Sequence, residues 1–394
     1  MDQKSPGAEA VLSKKERISL KLGIVGGGLQ GIEAAYLAGE AGFQTLLIDQ
    51  RDVPPARNLC QEFVNMRVER KTREEVKKEL EEVEAVLPAL EDYEALNLLT
   101  EIEGEIAPPV IFSREAYDIT HCKRESRQFF QRESLPHAKS WPEADYPLII
   151  KPLRSSGSEG VKLIENERQL EALLKKHNRE DIIIEEFISG PAYSLEVIAR
   201  GDEIYPLKTT RLEFTDDYDC CSVTAGAVFP EELEGDIKEL SRRAASGLNL
   251  EGIMDLEFIA GKEELILMEM DARFPSQTPI AVYEAYGLNM VADLVGLFAR
   301  KDPAEEFSPD VKREGAAIYE VVCRENGRIY SSGEHIMAKA EELDIREDFL
   351  GADKAITDWK SAGENWRAVL IFSGSDLVEA QARRSKTWRR LKRD

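Results

Sequence analysis

The sequence predicts an α/β protein of two or three units whose first unit is a βαβ built around a glycine turn. Three observations carry this. Residues 21–49 run strand, glycine turn, alanine-rich helix, strand. Residues 146–166 read as a hairpin with a serine- and glycine-rich tip. Residues 252–279 read as a second hairpin whose acids fall two apart and so share one face. At 394 residues the chain exceeds one ordinary domain.

Composition narrows the partners. The apolar fraction of 42% supports real cores, and 52 basic against 75 acidic residues leave a net charge of −23. Such a surface repels nucleic acid and anionic membranes and welcomes ligands that carry amines. Bound phosphate would need local Lys, Arg or metal against that field. Cys60, Cys122, Cys220, Cys221 and Cys323 are scattered without a CxxC, which predicts reduced thiols in a cytoplasmic protein and no zinc site. His121, His137, His177 and His335 show no metal spacing. No stretch approaches the roughly 18–20 apolar residues of a membrane span. Residues 1–20 are polar, lack the core of a signal peptide and predict a disordered extension.

In the first unit, Gly26, Gly28 and Gly31 fit GxGxxG between a strand at 22–25 and a helix from about Leu29. The turn brings backbone N–H groups to a helix N-terminus, which favours an anion. Asp49 ends the second strand, where a dinucleotide fold holds a ribose. Taken alone this fits an NAD site, or a Rossmann-like unit that keeps its glycines for packing. "EAVLPALED", after a charged helix at 72–82, predicts a third strand and "PPVIFS" a fourth, closing the unit near Phe112. Four parallel strands make half a dinucleotide domain.

Residues 115–136 predict one helix with Phe129 and Phe130 packed inward. A buried strand at 148–150 follows, with Lys151 at its end, then the turn Ser155, Ser156, Gly157, Ser158 and Gly160 and a strand at 161–164. Such a loop can fold N–H groups and hydroxyls over polyphosphate with Lys151 beneath. It can equally be an exposed flexible hairpin, and no GxxxxGK[ST] occurs. Next, "DIIIEEFISG" is a strand ending in Glu185, Glu186 and Phe187 before a bend at Gly190. A hinge of this kind can grip adenine, and paired acids can also simply solvate a strand end.

The late hairpin is sharper. Asp255 and Glu257 share a face opposite Met254, Leu256 and Phe258, and Glu269, Asp271 and Arg273 share a face on the partner strand. Carboxylates aimed one way from central strands should not sit in a core unpaired. Mg²⁺, which takes carboxylate and phosphate oxygens together, resolves the conflict, as would a wet outer face. From Val311 the chain reads as further strands and a final helix whose basic end suits its dipole.

These pieces, in this order, resemble the ATP-grasp superfamily. The strings "GGGLQGIEAAYLA", "VLPALED", "SLEV", "YDC", "GIMDLE" and "MDARFPSQTP" resemble, within it, the ligases of pyrrolysine biosynthesis, from about Lys21 to near the C-terminus. The resemblance implies an ATP-grasp fold with an N-terminal Rossmann-like domain at 21–112. It further implies an ATP-grasp domain at 113–310, with a lid at about 140–190, and a C-terminal part at 311–394 that completes it. It implies ATP-dependent joining of (3R)-3-methyl-D-ornithine to the ε-amine of L-lysine through an acyl phosphate, and it displaces NAD.

The resemblance also assigns residues. ATP would lie on Lys123, Lys151, the loop Ser155, Ser156, Gly157, Ser158 and Gly160, and the hinge Glu185, Glu186 and Phe187. Two Mg²⁺ ions would lie on Glu257, Glu269 and Asp271, with Arg273, Lys151 and Glu269 stabilising the transferred charge. Ser194, Glu196, Asp255 and Arg273 become candidates for the diamine substrate, and Leu29, Gln30 and Glu91 for lysine. A homodimer would be ordinary for the superfamily. Three departures stand out. Gly190-Pro191-Ala192 replaces the ribose-binding Gly-x-Glu, Cys122 precedes Lys123 where an Asp is usual, and Glu159 adds negative charge to the phosphate loop.

Overall fold

A strand that is apolar at successive positions belongs in the middle of a sheet covered on both faces. β1 (Lys21–Val25) obeys this, with Leu22, Ile24 and Val25 at 0–1% exposure. The computed structural model describes residues 20–154, 160–261, 264–299, 307–360 and 365–391. The expected extension at 1–20 lies, up to residue 19, outside the described residues, and so do Ser155, Ser156, Gly157, Ser158 and Glu159 of the phosphate loop.

β1 is followed by α1 (Leu29–Ala41), β2 (Gln44–Asp49), β3 (Glu62–Asn65), α2 (Arg73–Leu80), β4 (Ala85–Pro88) and α3 (Tyr93–Ile102). The strands form one parallel sheet in the order β3-β2-β1-β4. The predicted count of four holds, but the fourth member is β3. "PPVIFS" gives only a single bridge, Val86 to Val110. β3 is a short edge strand with exposed ends at Glu62 and Asn65, a pattern with little periodicity to read. The glycine turn is tight for a packing reason. A side chain at Gly31 would fall 2.2 Å from the Gly26 carbonyl oxygen, and Gly26 itself has φ +101°.

The single helix expected at 115–136 is two, α4 (Arg114–Thr120) and α5 (Lys123–Arg132). Cys122 is extended (φ −117°, ψ 111°), and the Lys123 N–H donates to the Leu153 carbonyl instead of continuing the first helix. That break starts α5 at Lys123. Phe129 and Phe130 are buried as expected, at 1% each.

β5 (Leu148–Pro152), β6 (Lys162–Ile164), α6 (Glu167–Leu174) and β7 (Ile182–Glu186) make a small antiparallel sheet, β6-β5-β7, with its own core of Leu148, Ile150, Ile164, Leu170, Leu173 and Ile184. The rest of the chain supplies β8 (Ala192–Arg200), β9 (Glu203–Phe214), β10 (Cys220–Ala225), α7 (Glu234–Gly247), β11 (Gly252–Ala260), β12 (Leu265–Asp271), α8 (Thr278–Tyr286), α9 (Met290–Phe298), β13 (Ala316–Glu325), β14 (Arg328–Ser331), β15 (Asp344–Glu347), β16 (Lys354–Thr357), β17 (Trp366–Gly374) and α10 (Leu377–Leu391). Its ten strands form one antiparallel sheet ordered β12-β11-β8-β9-β10-β13-β17-β16-β15, with β14 beside β13. Strands after residue 310 therefore continue the sheet begun before it.

Strand alternation sorts this sheet's two faces. Leu195, Val197, Met254, Leu256 and Phe258, each at 0% exposure, enter one core with Phe129, Phe130 and Ile237. Each such side chain contributes ~1.5–3 kcal/mol on burial. A one-residue slip would forfeit all of it, so the register that aims Ser194, Glu196, Asp255 and Glu257 to the opposite face is strongly held. No single described helix is long and apolar enough to cross a membrane.

Candidate active site

The hairpin of β11 and β12 pairs acid with acid, Asp255 opposite Asp271 and Glu257 opposite Glu269. A bulge follows at once. Phe258 pairs with Leu267, so Met268 is the extra residue beside the acids. On the other side β8 sets Glu196 beside Asp255 and Ser194 beside Glu257. Six polar side chains, five of them carboxyls, thus converge on one face.

Two cations meet them directly and two more stand close by. Lys123, at the first position of α5, places Nζ 2.6 Å from Glu269 Oε1. Arg273, just past β12, donates to Asp271 at 3.2 Å and to Glu91 at 2.9 Å. Lys151, at 9% exposure, lies 3.5 Å from Glu185, which Arg127 also grips. The balance remains negative. Burial, then repulsion from Glu269 and Asp271, pushes Glu257 up to about 8. Burial also drives Asp255 and Asp271 well above the carboxylate range against the pull of Arg273. Burial raises Glu269 too, but Lys123 and Lys151 overcome it and hold Glu269 below its ordinary value. Asp255 Oδ1 and Glu196 Oε2 are buried with no hydrogen-bond partner among the described residues. Under-neutralised, closely paired carboxyls with orphaned oxygens are the donor set of a hard divalent cation.

A cavity of about 450 Å³ opens over this centre, lined by Lys123, Lys151, Glu185, Phe187, Glu257 and Glu269, with Ile149, Ile259, Ile266 and Met268 as apolar wall. It suits a flat base at one end and phosphates at the other. Of the hinge residues, Glu185 is engaged by Arg127 and Lys151, and Glu186 accepts from the Lys139 N–H at 2.8 Å. Gly160 has φ +78° and turns back against Pro152. Ser194 and Glu196 are sealed at 1% and 0% exposure, with the Ser194 hydroxyl donating to Glu196 at 3.0 Å. These two and Asp255 share the carboxylate face but line neither this cavity nor the next.

The second cavity, about 470 Å³, lies between the ends of β1, β2 and β4 and a 3₁₀ turn at Glu334–Lys339. Leu29, Gln30 and Glu91 line it together with Asp49, Arg51 and His335. Gln30 donates to Glu91 at 3.0 Å, and because Arg273 also donates to Glu91 and to Asp271, that carboxylate ties the second cavity to the carboxylate face. Asp49 is not open to a ribose. It accepts from the Gly27 N–H at 2.7 Å and from Arg51 at 2.9 Å, which pulls its pKa down despite burial and closes the glycine turn on itself.

Several residues escaped the sequence reading. Arg127 stands one helical turn after Lys123, a spacing that could have signalled it. Arg211 lines the first cavity. Asp219, Glu334 and His335 gather beside the second, from segments 115 residues or more apart, and nothing local in sequence announces them.

Comparison with known proteins identifies the family. The ATP-grasp domain family matches residues 121–277. The 3-methyl-D-ornithine–L-lysine ligase of Methanosarcina mazei is 34% identical over 364 residues, covering 92% of this chain and 93% of the relative. The enzyme of the same name from Methanosarcina barkeri is 33% identical, covering 92% and 95%. Among solved structures, a Campylobacter jejuni biotin carboxylase crystallised as a β,γ-ATP complex superposes with a TM-score of 0.70 at 16% identity, covering 95% of this chain and 92% of that one.

Proposed function

The chain belongs to the ATP-grasp ligases that join 3-methyl-D-ornithine to L-lysine, and on that premise we propose how its own residues carry the reaction. It is an ATP-dependent ligase of pyrrolysine biosynthesis, forming a C–N bond. The observation that carries the residue assignment is the set of four carboxyls paired across β11 and β12 opposite Lys123 and Lys151.

In this reading Lys123 and Lys151 neutralise the ATP phosphates, and Glu185, Glu186 and Phe187 frame the adenine. Glu257, Glu269 and Asp271 would hold Mg²⁺, which would supply charge neutralisation for phosphoryl transfer. Arg273, fixed by Asp271 and Glu91, stabilises the methylornithine carboxylate as it becomes an acyl phosphate and then the tetrahedral oxyanion. The buried carboxyls Glu196 and Asp255 supply acceptors for the substrate's amino groups once the site has opened to admit it. Leu29, Gln30 and Glu91 receive lysine, whose positive end suits an acidic cavity. No nucleophilic side chain is required, and catalysis rests on positioning and charge.

The test is direct. The protein is incubated with ATP, Mg²⁺, D-ornithine or its 3-methyl form, and lysine, while ADP and product mass are followed. ADP release that needs both amino acids, with a product one water lighter than their sum, is expected. ATP turnover with neither, or none with either diamine, overturns the reading.

A further inference from the structure

Lysine's ε-amine has an unperturbed pKa of about 10.4 and arrives as an ammonium, so something must take its proton before it attacks. Resting on the ligase reading above, we propose that His335, oriented by Asp219, is the general base that accepts this proton.

Three observations support the assignment. His335 lines the same cavity as Leu29, Gln30 and Glu91, on the wall opposite the glycine turn. Its Nδ1 lies 3.0 Å from Asp219 Oδ1, the arrangement in which a carboxylate accepts from Nδ1–H and leaves Nε2 as the proton acceptor. The contact is built into the fold. A Cβ at position 333 would fall 1.9 Å from the Asp219 carboxyl, so glycine there leaves the room that the pair occupies. The Asp219 N–H in turn donates to the Thr215 hydroxyl at 3.2 Å.

The dyad is linked electrostatically to the carboxylate face through Glu334, whose charge acts on Glu257 and Arg273. Glu334, adjacent to His335, brings its carboxylate oxygens within 4.8 Å of the ligating atoms of Asp219 and His335. Glu334 feels Arg273, which itself bonds Glu91 and Asp271. The charged groups around the imidazole are therefore Asp219 and Glu334 beside it, Arg273 beyond them, and Asp49, Arg51, Arg67, Glu91 and Asp92 around the cavity. The excess of carboxylates draws the ammonium in, and Nε2 receives one proton from it. The amine lone pair then attacks the acyl carbon, the C–N bond forms, and the C–O bond to phosphate breaks. The second N–H proton leaves with the departing phosphate. His335 acts on the substrate, and Asp219 is a positioning residue.

The experiment compares two nucleophiles in His335→Gln and Asp219→Asn. Hydroxylamine is neutral at pH 7 and traps the acyl phosphate without a base. His335→Gln is expected to lower lysine-dependent turnover at pH 7 by about 100-fold, while hydroxamate formation stays near that of the unmodified protein. The deficit should shrink as pH rises from 7 towards 10, because solution then supplies the free amine. Asp219→Asn should give a smaller loss with the same pattern. Equal loss of hydroxamate overturns the proposal, since the residue would then serve acyl phosphate formation or folding. A raised KM for lysine with unchanged kcat, or a deficit constant with pH, overturns it too. An unmodified protein that yields no hydroxamate would instead sink the ligase reading.

Discussion

At the scale of single residues, the active-site face is a set of acids that the fold forces together and only partly neutralises. Glu269 differs from its neighbours because Lys123 sits 2.6 Å away and keeps it ionised. Glu269→Gln is expected to cut ADP release by about 100-fold or more while leaving the circular dichroism spectrum unchanged. Activity near the unmodified level would remove Glu269 from the metal set. Away from the chemistry, Glu33 is 1% exposed in α1 and accepts from the Ile280 N–H at 2.9 Å, yet burial outweighs that bond and pushes it up to about 8. Burial likewise raises Glu196 to about 7. A raised folded-state value means the native protein holds protons that the unfolded chain releases near 4.5. The stabilisation is complete below that point and is lost as pH rises through about 8. Thermal unfolding of the ligand-free protein should therefore fall by several degrees from pH 5.5 to 8, and Glu33→Gln should flatten part of that slope. A melting point that climbs across this window in both proteins would contradict the account.

At the scale of elements, the join between β7 and β8 couples the hinge proposed for adenine to the carboxylate hairpin. Gly190 lies there, and a Cβ would fall 2.1 Å from the backbone oxygen of Ala260 at the end of β11. Backbone cannot rotate aside as a side chain can, so Gly190→Ala must part the two segments. The cost is expected to be about 1–3 kcal/mol in urea unfolding, with KM for ATP raised more than KM for lysine; the reverse order would place the hinge elsewhere. The same element shows what sequence could reveal. The alternation of β11 was legible, because period two separates Met254, Leu256 and Phe258 from Asp255 and Glu257 without help from the rest of the chain, whereas β12 proves an edge strand rather than a central one, is bulged at Met268 and ends before Arg273. β3 was not legible, since four residues with exposed ends carry almost no periodicity. Nor was the break before Lys123, which depends on a hydrogen bond to Leu153 thirty residues on. The Asp219–His335 pair was illegible for the same reason in stronger form. Its partners are 116 residues apart, and only the ten-stranded sheet brings them to one cavity.

At the scale of the whole molecule, local and global charge oppose one another. Lys123, Lys151, Arg127 and Arg211 border the first cavity, proposed for ATP, while the chain as a whole carries −23. The second cavity, proposed for lysine, is mixed: Asp49, Glu91, Asp92 and the nearby Glu334 share the sign of the surface around them, and Arg51 and Arg67 oppose it. Close ion pairs in these sites are little affected by salt, whereas the long-range field is screened as the Debye length falls from about 30 Å at 0.01 M to about 8 Å at 0.15 M. Screening therefore removes repulsion from the incoming polyanion and attraction from the incoming diamine and lysine, each of net charge about +1, together. Raising KCl from 10 to 150 mM at fixed free Mg²⁺ should lower KM for ATP and raise KM for lysine, each by roughly two- to fivefold, with kcat changing little. Opposite slopes follow only if the two substrates enter by the cavities assigned to them and the net charge acts on both. Parallel slopes in initial-rate measurements would mean that local residues, not the global field, govern the approach of both substrates.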